Sequence, residues 1–420
     1  MRKMRRASLT SADVVVVGGG PAGATAALTL AGRGVDVLVL DRQRFPRDKP
    51  CGGGIRYSVL RRFPALAVHL RARVSLHEIR RVRMESPSGA SVLAGGDTPF
   101  YLTLRRTEFD AALLDAARER GARVIEGVRV TDVVTDGGGA TIRCLDGREF
   151  QARIVVGADG VNSVVARAAG LTTRSAEDRL AIDTMEETPL AELSTVDPEE
   201  MFVAYGYRGW QGYGYVFPKR DCVDAGVGFL VSFFKQRLGG APADHHRRFL
   251  EDVAAKGVVR GRSHPENFKA YRLPLGGPLA RAHAGPVVVC GDAGGFVNAY
   301  TGEGIYYAMV TGEHAALAAA RVLERGDGDA AALADYDARW RAEIGQELED
   351  SVRIQRRLFA DPRLADWVIR AASGDRKLCR LFARVALGEA DIRRHRFELA
   401  WRFLWAALRG RVPLAAALGR

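Results

Sequence analysis

The chain reads as an α/β protein that begins with a Rossmann-like, doubly wound nucleotide-binding domain. Three observations predict this. A β-branched run, Val14–Val17, leads straight into glycines at 18, 20 and 23. Two later apolar strands, within Arg153–Leu171 and Gly285–Ala316, also end in an acid and glycines before a helix. Between them lies a stretch of short alternating strands broken by turn residues, which predicts a second, sheet-based domain.

Length and composition set the bounds. The chain has 420 residues, 47% hydrophobic and 27% charged, enough for about two or three globular domains. No apolar run is long enough to span a bilayer. The opening MRKMRRASLTSADVVVVGGG pairs a basic stretch with a short apolar one, but VVVV is too short for a signal-peptide core, so a basic tail and then a strand are expected. The five cysteines (Cys51, Cys144, Cys222, Cys290 and Cys379) form no CxxC pair, so neither a metal site nor a disulfide framework is expected, and a reducing cytoplasm fits best. The net charge of +12 comes without any helix-turn-helix, finger or RNP pattern. An anionic substrate, a phosphate-bearing cofactor or an anionic membrane surface explains it as well as nucleic acid does.

The motifs follow in chain order. Gly18 allows the tight turn after the first strand, Gly20 lets backbone approach a pyrophosphate, and Gly23 lets the helix pack on the strand. The helix N-terminus around Ala22 offers free N–H groups to phosphate. Val35–Leu40 is the second strand, and the acid that ends it, Asp41, followed by Arg42, suits ribose hydroxyls. FAD and NAD both satisfy this unit. The later loops decide for FAD. Gly157-Ala158-Asp159-Gly160 precedes a helix start at Ser163. Asp292 suits ribityl hydroxyls, and the backbone of Gly302, Gly304 and Ile305 suits a flavin pyrimidine edge.

Three stretches stand apart. KPCGGGIRYSVL (Lys49–Leu60) sets Cys51 against glycines in a loop built for close backbone approach. GWQGYGYVFPKRDCVDAGVGF (Gly209–Phe229) reads as two paired strands, with Tyr213, Tyr215 and Phe217 alternating onto one face; Lys219 either meets a diphosphate or, the simpler expectation, ends a strand in solvent. The final helical stretch repeats Phe397, Trp401, Leu404, Trp405 and Leu408 at helical spacing among arginines. Packing into a core is the simpler expectation; lying in a membrane interface or capping a substrate pocket are the alternatives. Asp136–Gly139 and Asp146-Gly147 read as hairpin turns, Ala243–Lys256 as a helix, and Glu324–Ala331 as a linker, with a helical pattern from about residue 303 onward.

In this order, Gly18–Gly23, Asp159-Gly160 and Gly291-Asp292 resemble the three fingerprints of FAD-dependent oxidoreductases of the p-hydroxybenzoate hydroxylase fold, over roughly residues 12–325. The resemblance implies one non-covalent FAD in a discontinuous domain (10–171 and 281–325), an inserted antiparallel-sheet substrate domain (172–280), and C-terminal helices (326–420). It also implies that Arg106, in LRRTEFD, serves the pyrophosphate or ribityl region, and that the Val130 backbone meets adenine. Within that superfamily, KPCGGGI, YGYVFPK and TGEGIYYAM resemble the geranylgeranyl reductases. This implies a reductase that saturates C=C bonds of a prenyl chain with hydride from reduced flavin, its electrons coming from NAD(P)H or a ferredoxin. It implies FAD contacts from Cys51, Gly52 and Gly54, and a substrate wall of Tyr213, Tyr215 and Phe217. Cys51 is then either the proton donor or a small residue that fits against the flavin. The expected substrate is prenyl or lipid-like, and the expected location cytoplasmic, with peripheral membrane contact if the last helix is interfacial. The alternatives are a monooxygenase acting on an aromatic or polyketide-like molecule and, with less support, a halogenase, whose Trp-x-Trp-x-Ile-Pro is replaced here by Tyr213-Gly214-Tyr215-Val216-Phe217-Pro218.

Overall fold

The valine run folds as expected into a strand, Thr10–Val17, at the centre of an eight-stranded sheet. The computed structural model describes residues 10–136, 138–172, 177–326 and 333–413. The basic N-terminal tail and most of the expected linker lie outside those residues. The parallel core of the sheet runs Val287–Val289, Glu149–Gly157, Thr10–Val17, Val37–Asp41 and Arg123–Glu126. Val14, Val15 and Val16 are fully buried, each contributing roughly 1.5–3 kcal/mol. Helix Pro21–Ala31 follows the first glycine turn and packs against the long helix Ile305–Arg325. Asp146-Gly147 turns the chain between the antiparallel strands Ala140–Cys144 and Glu149–Gly157.

A second sheet has seven strands in the order Lys269–Pro274, Leu180–Pro189, Cys222–Leu230, Gly212–Pro218, Glu200–Tyr205, Arg81–Glu85 and Ser91–Gly95. Its last two strands come from a stretch expected to belong to the nucleotide-binding half. Their sequence alternates Arg81, Val82, Arg83 and Met84. Val82 and Met84 enter the second core, while Arg81 and Arg83 pair with Asp197 and Glu200. The pairing of Glu200–Tyr205 with Arg81–Glu85 is parallel, so the sheet is antiparallel in all but this one pair.

The C-terminal helices Arg363–Ser373 and Arg376–Ala386 cover Ser91–Gly95. The last helix, Arg396–Leu408, overturns the expectation that its aromatic stripe is core. Leu399, Phe403, Ala406 and Ala407 face the second core instead. Phe397 is 74% exposed, Trp401 64%, Trp405 45% and Leu408 64%. The helix carries apolar residues on two faces, and among the described residues only one of them packs against the core. Among the described residues, no helix is long and apolar enough to cross a membrane.

Candidate active site

The C-terminal ends of the parallel strands open into a cleft of about 380 Å³. Strand ends at a sheet crevice are where α/β folds bind ligands. Gly18 sits at φ +104°, and a Cβ there would lie 2.3 Å from the Ala158 carbonyl oxygen. The Asp41 carboxylate accepts the N–H groups of Gly19 at 2.6 Å and Gln43 at 2.7 Å, which fixes it at the cleft wall. Asp159 accepts from the Ser163 hydroxyl at 2.5 Å and from Val164 N–H at 2.6 Å, and so caps the short helix that follows. Burial pushes its pKa up against those hydrogen bonds.

One end of the cleft is cationic. Arg106 holds the buried Asp110 through two bonds of 2.8 and 2.7 Å, and Arg47 adds a third at 2.8 Å. Burial would raise the Asp110 pKa, but Arg106 and then Arg47 hold it below the ordinary carboxylate range. Among the described residues, the other terminal nitrogen of Arg47 is buried with no hydrogen-bond partner. The Lys49 ammonium lies 3.8 Å from the centre of the Tyr271 ring. Burial and the charge of Arg106 lower its pKa. A free guanidinium nitrogen and a lysine stacked on an aromatic ring beside a glycine turn suit a pyrophosphate. The cleft fits a dinucleotide.

The Cys51 loop closes one wall. Gly53 N–H donates to the Cys51 sulfur at 3.4 Å, and the Gly53 carbonyl accepts from Leu104 N–H at 3.0 Å. Aromatic rings press on this loop. A Cβ at Gly52 would lie 2.9 Å from the Tyr215 ring, and one at Gly54 would lie 2.6 Å from Tyr101. Burial disfavours the charge on the neighbouring Arg106, and Asp110 and then Cys51 more than restore it.

The face of the second sheet turned to this loop carries an aromatic ladder. Ring centres are 4.7 Å apart for Tyr215–Phe217, 6.0 Å for Tyr213–Tyr215 and 6.3 Å for Tyr205–Tyr213. The Tyr213 hydroxyl donates to the Thr301 carbonyl, beside the Gly302–Gly304 loop. Strand register extends the face. Tyr213 pairs with Gly228, Gly228 with Asp183, and Asp183 with Tyr271. The Tyr215 hydroxyl donates to the Asp183 carboxylate at 3.2 Å.

Two buried ion clusters hold the walls together. Lys219, expected in solvent, is 2% exposed. It pairs with Asp224 at 2.8 Å and with Glu187, directly behind Gly53. The strand ends against the Cys51 loop rather than in water, so its terminal lysine is trapped with two acids. Burial pushes Asp224 up to about 8, with Lys219 pulling it down. Arg56, two residues beyond Gly54, meets Glu303 at 2.7 Å, Glu347 at 2.9 Å, the Tyr307 hydroxyl at 2.5 Å and the Gly388 carbonyl at 3.1 Å. This network joins the Cys51 loop, the Gly302–Gly304 loop and the C-terminal helices.

Of the residues expected at the cofactor, Gly18, Gly20, Ala22, Asp41, Arg42, Cys51, Arg106, Val130, Asp159, Gly160, Asp292, Gly302, Gly304 and Ile305 line the cleft. Gly23 stands behind it, where a Cβ would lie 1.8 Å from the Gly18 carbonyl oxygen. Gly52 and Gly54 are covered by the aromatic ladder instead of lining the cleft. Arg47, Lys49, Tyr271 and Asp183 escaped the sequence reading. The basic run ahead of Cys51 signals the first two, but nothing local marks the others, whose positions depend on strand register.

A family model described as an FAD binding domain matches residues 11–352. The chain is 32% identical over 371 residues to digeranylgeranylglycerophospholipid reductase 2 of Methanothermobacter thermautotrophicus, covering 86% of this chain and 92% of that protein. It is also 32% identical over 356 residues to a digeranylgeranylglycerophospholipid reductase of Methanocella arvoryzae, covering 82% and 86%. A geranylgeranyl bacteriochlorophyll reductase-like structure from Thermoplasma acidophilum superposes with a TM-score of 0.79 at 21% identity, over 96% of this chain and all of that one, and so shares the fold. The chain belongs to the FAD-dependent oxidoreductases of this FAD-binding family, within their geranylgeranyl reductase-like group.

Proposed function

We propose that this FAD-dependent reductase saturates C=C bonds of a geranylgeranyl-type prenyl chain on a lipid-like carrier. One observation carries the reading: the aromatic ladder Tyr213–Tyr215–Phe217 packs on the Cys51 loop and reaches Gly302 through Tyr213, an apolar wall directly behind two loops that line the nucleotide cleft. A prenyl chain has no group to hydrogen-bond along its length, so such a wall is what would hold it. Bound, reduced FAD supplies the hydride, with NAD(P)H or a ferredoxin as the electron source. The protein binds and orients. Asp41 and Arg42 take the adenosine ribose, Val130 the adenine, and Gly18–Gly23 with Arg47 and Lys49 the pyrophosphate. Arg106 neutralises Asp110 behind them. Asp292 takes the ribityl chain, and the Gly302–Ile305 backbone takes the flavin edge. Cys51 faces the reacting bond. In domain terms, residues 10–171 and 281–325 hold the cofactor, 172–280 with the strands from 81–95 present the substrate, and the C-terminal helices brace the two.

The same reading gives the last helix a role. The enzyme is cytoplasmic and meets its lipid at a membrane surface through Phe397, Trp401, Trp405 and Leu408. Residues 353–411 hold fifteen Lys and Arg against six Asp and Glu, a net +9 of the chain's +12. A basic helix with a bare aromatic face suits anionic headgroups. Trp401→Ala combined with Trp405→Ala should weaken binding to phosphatidylglycerol vesicles while leaving stability within about 0.5 kcal/mol. Equal vesicle binding by variant and parent would remove this role.

The function is tested by product analysis. FAD-loaded protein, reduced without oxygen and given a digeranylgeranyl lipid, should return a lipid heavier by hydrogen pairs. A lipid unchanged under those conditions, with an aromatic substrate hydroxylated once oxygen is admitted, would replace the reading with a monooxygenase.

A further inference from the structure

Saturating an alkene adds hydride to one carbon and a proton to the other. The site therefore needs an acid that still carries its proton near neutral pH. The second sheet places one between two residues that flank the cofactor cleft. Side chains opposite one another on neighbouring strands share a face, their Cβ atoms about 5 Å apart. In the row Tyr271–Asp183–Gly228–Tyr213, both ends are located: Tyr271 lines the cleft beneath Lys49, and Tyr213 holds the Thr301 carbonyl beside Gly302. Asp183 stands between them. Gly228 lies opposite it, and a Cβ there would crowd Asp183 Oδ1 at 3.3 Å, so glycine at this position leaves room for the carboxyl.

The carboxyl is 9% exposed, and its hydrogen-bond partner is the Tyr215 hydroxyl at 3.2 Å. Among the described residues, no arginine or lysine forms an ion pair with it. A buried carboxyl without a cation partner keeps its proton. Burial pushes Asp183 up to about 7, against smaller pulls from Tyr215 and Lys49. The groups that face it are Tyr213 and Tyr215 from the aromatic strand, Asp224 from the strand beside it, Tyr271 from the strand on its other side, and Lys49 from the loop. All three tyrosines are shifted up by burial, away from neutral pH. Lys49 is shifted down, chiefly by burial. The Cys51 sulfur accepts Gly53 N–H, which orients the thiol within its own loop.

We propose that Asp183 is the acid of the reduction. Its O–H bond breaks as a C–H bond forms at one alkene carbon. The other carbon takes the hydride, the π bond is consumed, and the reduced cofactor is left oxidised by two electrons. The carboxylate that remains is held by Tyr215 and by the charge of Lys49 until water in the cleft returns a proton. This assignment rests on the prenyl-reductase reading.

The test uses the FAD-loaded protein. Infrared spectra should show the carbonyl band of a protonated carboxylic acid that titrates near pH 7 and is missing in Asp183→Asn; the band of Asp224 remains as a reference. The variant should bind FAD and accept electrons as the parent does, yet saturate the lipid at least about 100-fold more slowly in a single turnover. Asp183→Glu should recover part of the rate with a shifted pH midpoint. A band that survives in Asp183→Asn, or a variant as fast as the parent, overturns the assignment. If the variant does not fold, the parent's single-turnover rate decides: a fall as pH rises through about 7 supports the acid, and a flat profile refutes it. A parent that reduces no prenyl lipid refutes the underlying reading, whereas a parent that reduces it alongside an equally active variant refutes Asp183 alone.

Discussion

The two walls of the site are built from different materials. The nucleotide side is backbone: Gly18 in a left-handed turn, a helix N-terminus at Ala22, and loops at Asp159-Gly160 and Gly302–Ile305 that leave N–H groups and small residues at the cleft. The facing wall is side chain: a ladder of four aromatics, a buried Asp183, and a lysine sealed between two acids. The first wall recognises what any dinucleotide offers, so its geometry demands glycine at fixed spacing. The second recognises an apolar chain and manages protons, and many residue combinations meet that need.

The difference predicts how each wall breaks. The largest effect should come from the backbone side. Gly18→Val forces a side chain into a backbone at φ +104° and towards a carbonyl oxygen 2.3 Å from where its Cβ must stand. Strain of about 3 kcal/mol at this turn corresponds to FAD binding weakened about 100-fold, read as loss of flavin absorbance from the purified protein. The junction between the walls should come next. Glu303→Gln leaves Arg56 buried with a weakened partner set, and should lower stability by about 3 kcal/mol in urea unfolding while FAD still binds. The side-chain wall should give the smallest change, one that depends on pH. Lys219→Met leaves Asp224 and Glu187 without their cation. Asp224 already has a folded pKa of about 8 against an ordinary 3.8, so its favourable contribution is complete below about 4 and is lost as pH rises towards 8. Removing Lys219 raises that folded pKa further, so the stability gap between parent and variant should widen as pH increases. A gap independent of pH would show that the cluster is not ionised as described.

What was legible in the sequence follows the same divide. The G-x-G-x-x-G turn, Asp41 and the later acid–glycine loops were readable because backbone chemistry ties residue type to position. Cys51 and the Tyr213–Phe217 alternation were readable as motifs, but not what they touch. At Gly52 and Gly54 the absent Cβ leaves room for the rings of Tyr215, Phe217 and Tyr101, a packing role that the motif did not announce. Lys219 was misplaced for the same reason: a strand-ending lysine is normally solvated, and only the fold brings Asp224, Glu187 and Gly53 around it. Asp183 became visible only once register set it between Tyr271 and Tyr213. The strands at 81–95 crossed the expected domain boundary because their alternation is too short to announce a sheet by itself. The last helix was ambiguous by construction, being apolar on two faces with a single core to bury one of them.

The central claim is that reducing equivalents held on this protein pass to a carbon–carbon double bond. It is tested most directly by electron accounting. The FAD-loaded protein is reduced to completion under anaerobic conditions, mixed with a digeranylgeranyl lipid, and followed by flavin absorbance while the lipid is weighed by mass spectrometry. The account predicts that oxidised flavin returns in step with hydrogen pairs gained by the lipid, one pair for each flavin reoxidised. Flavin that stays reduced until oxygen enters, beside a lipid of unchanged mass, would contradict it.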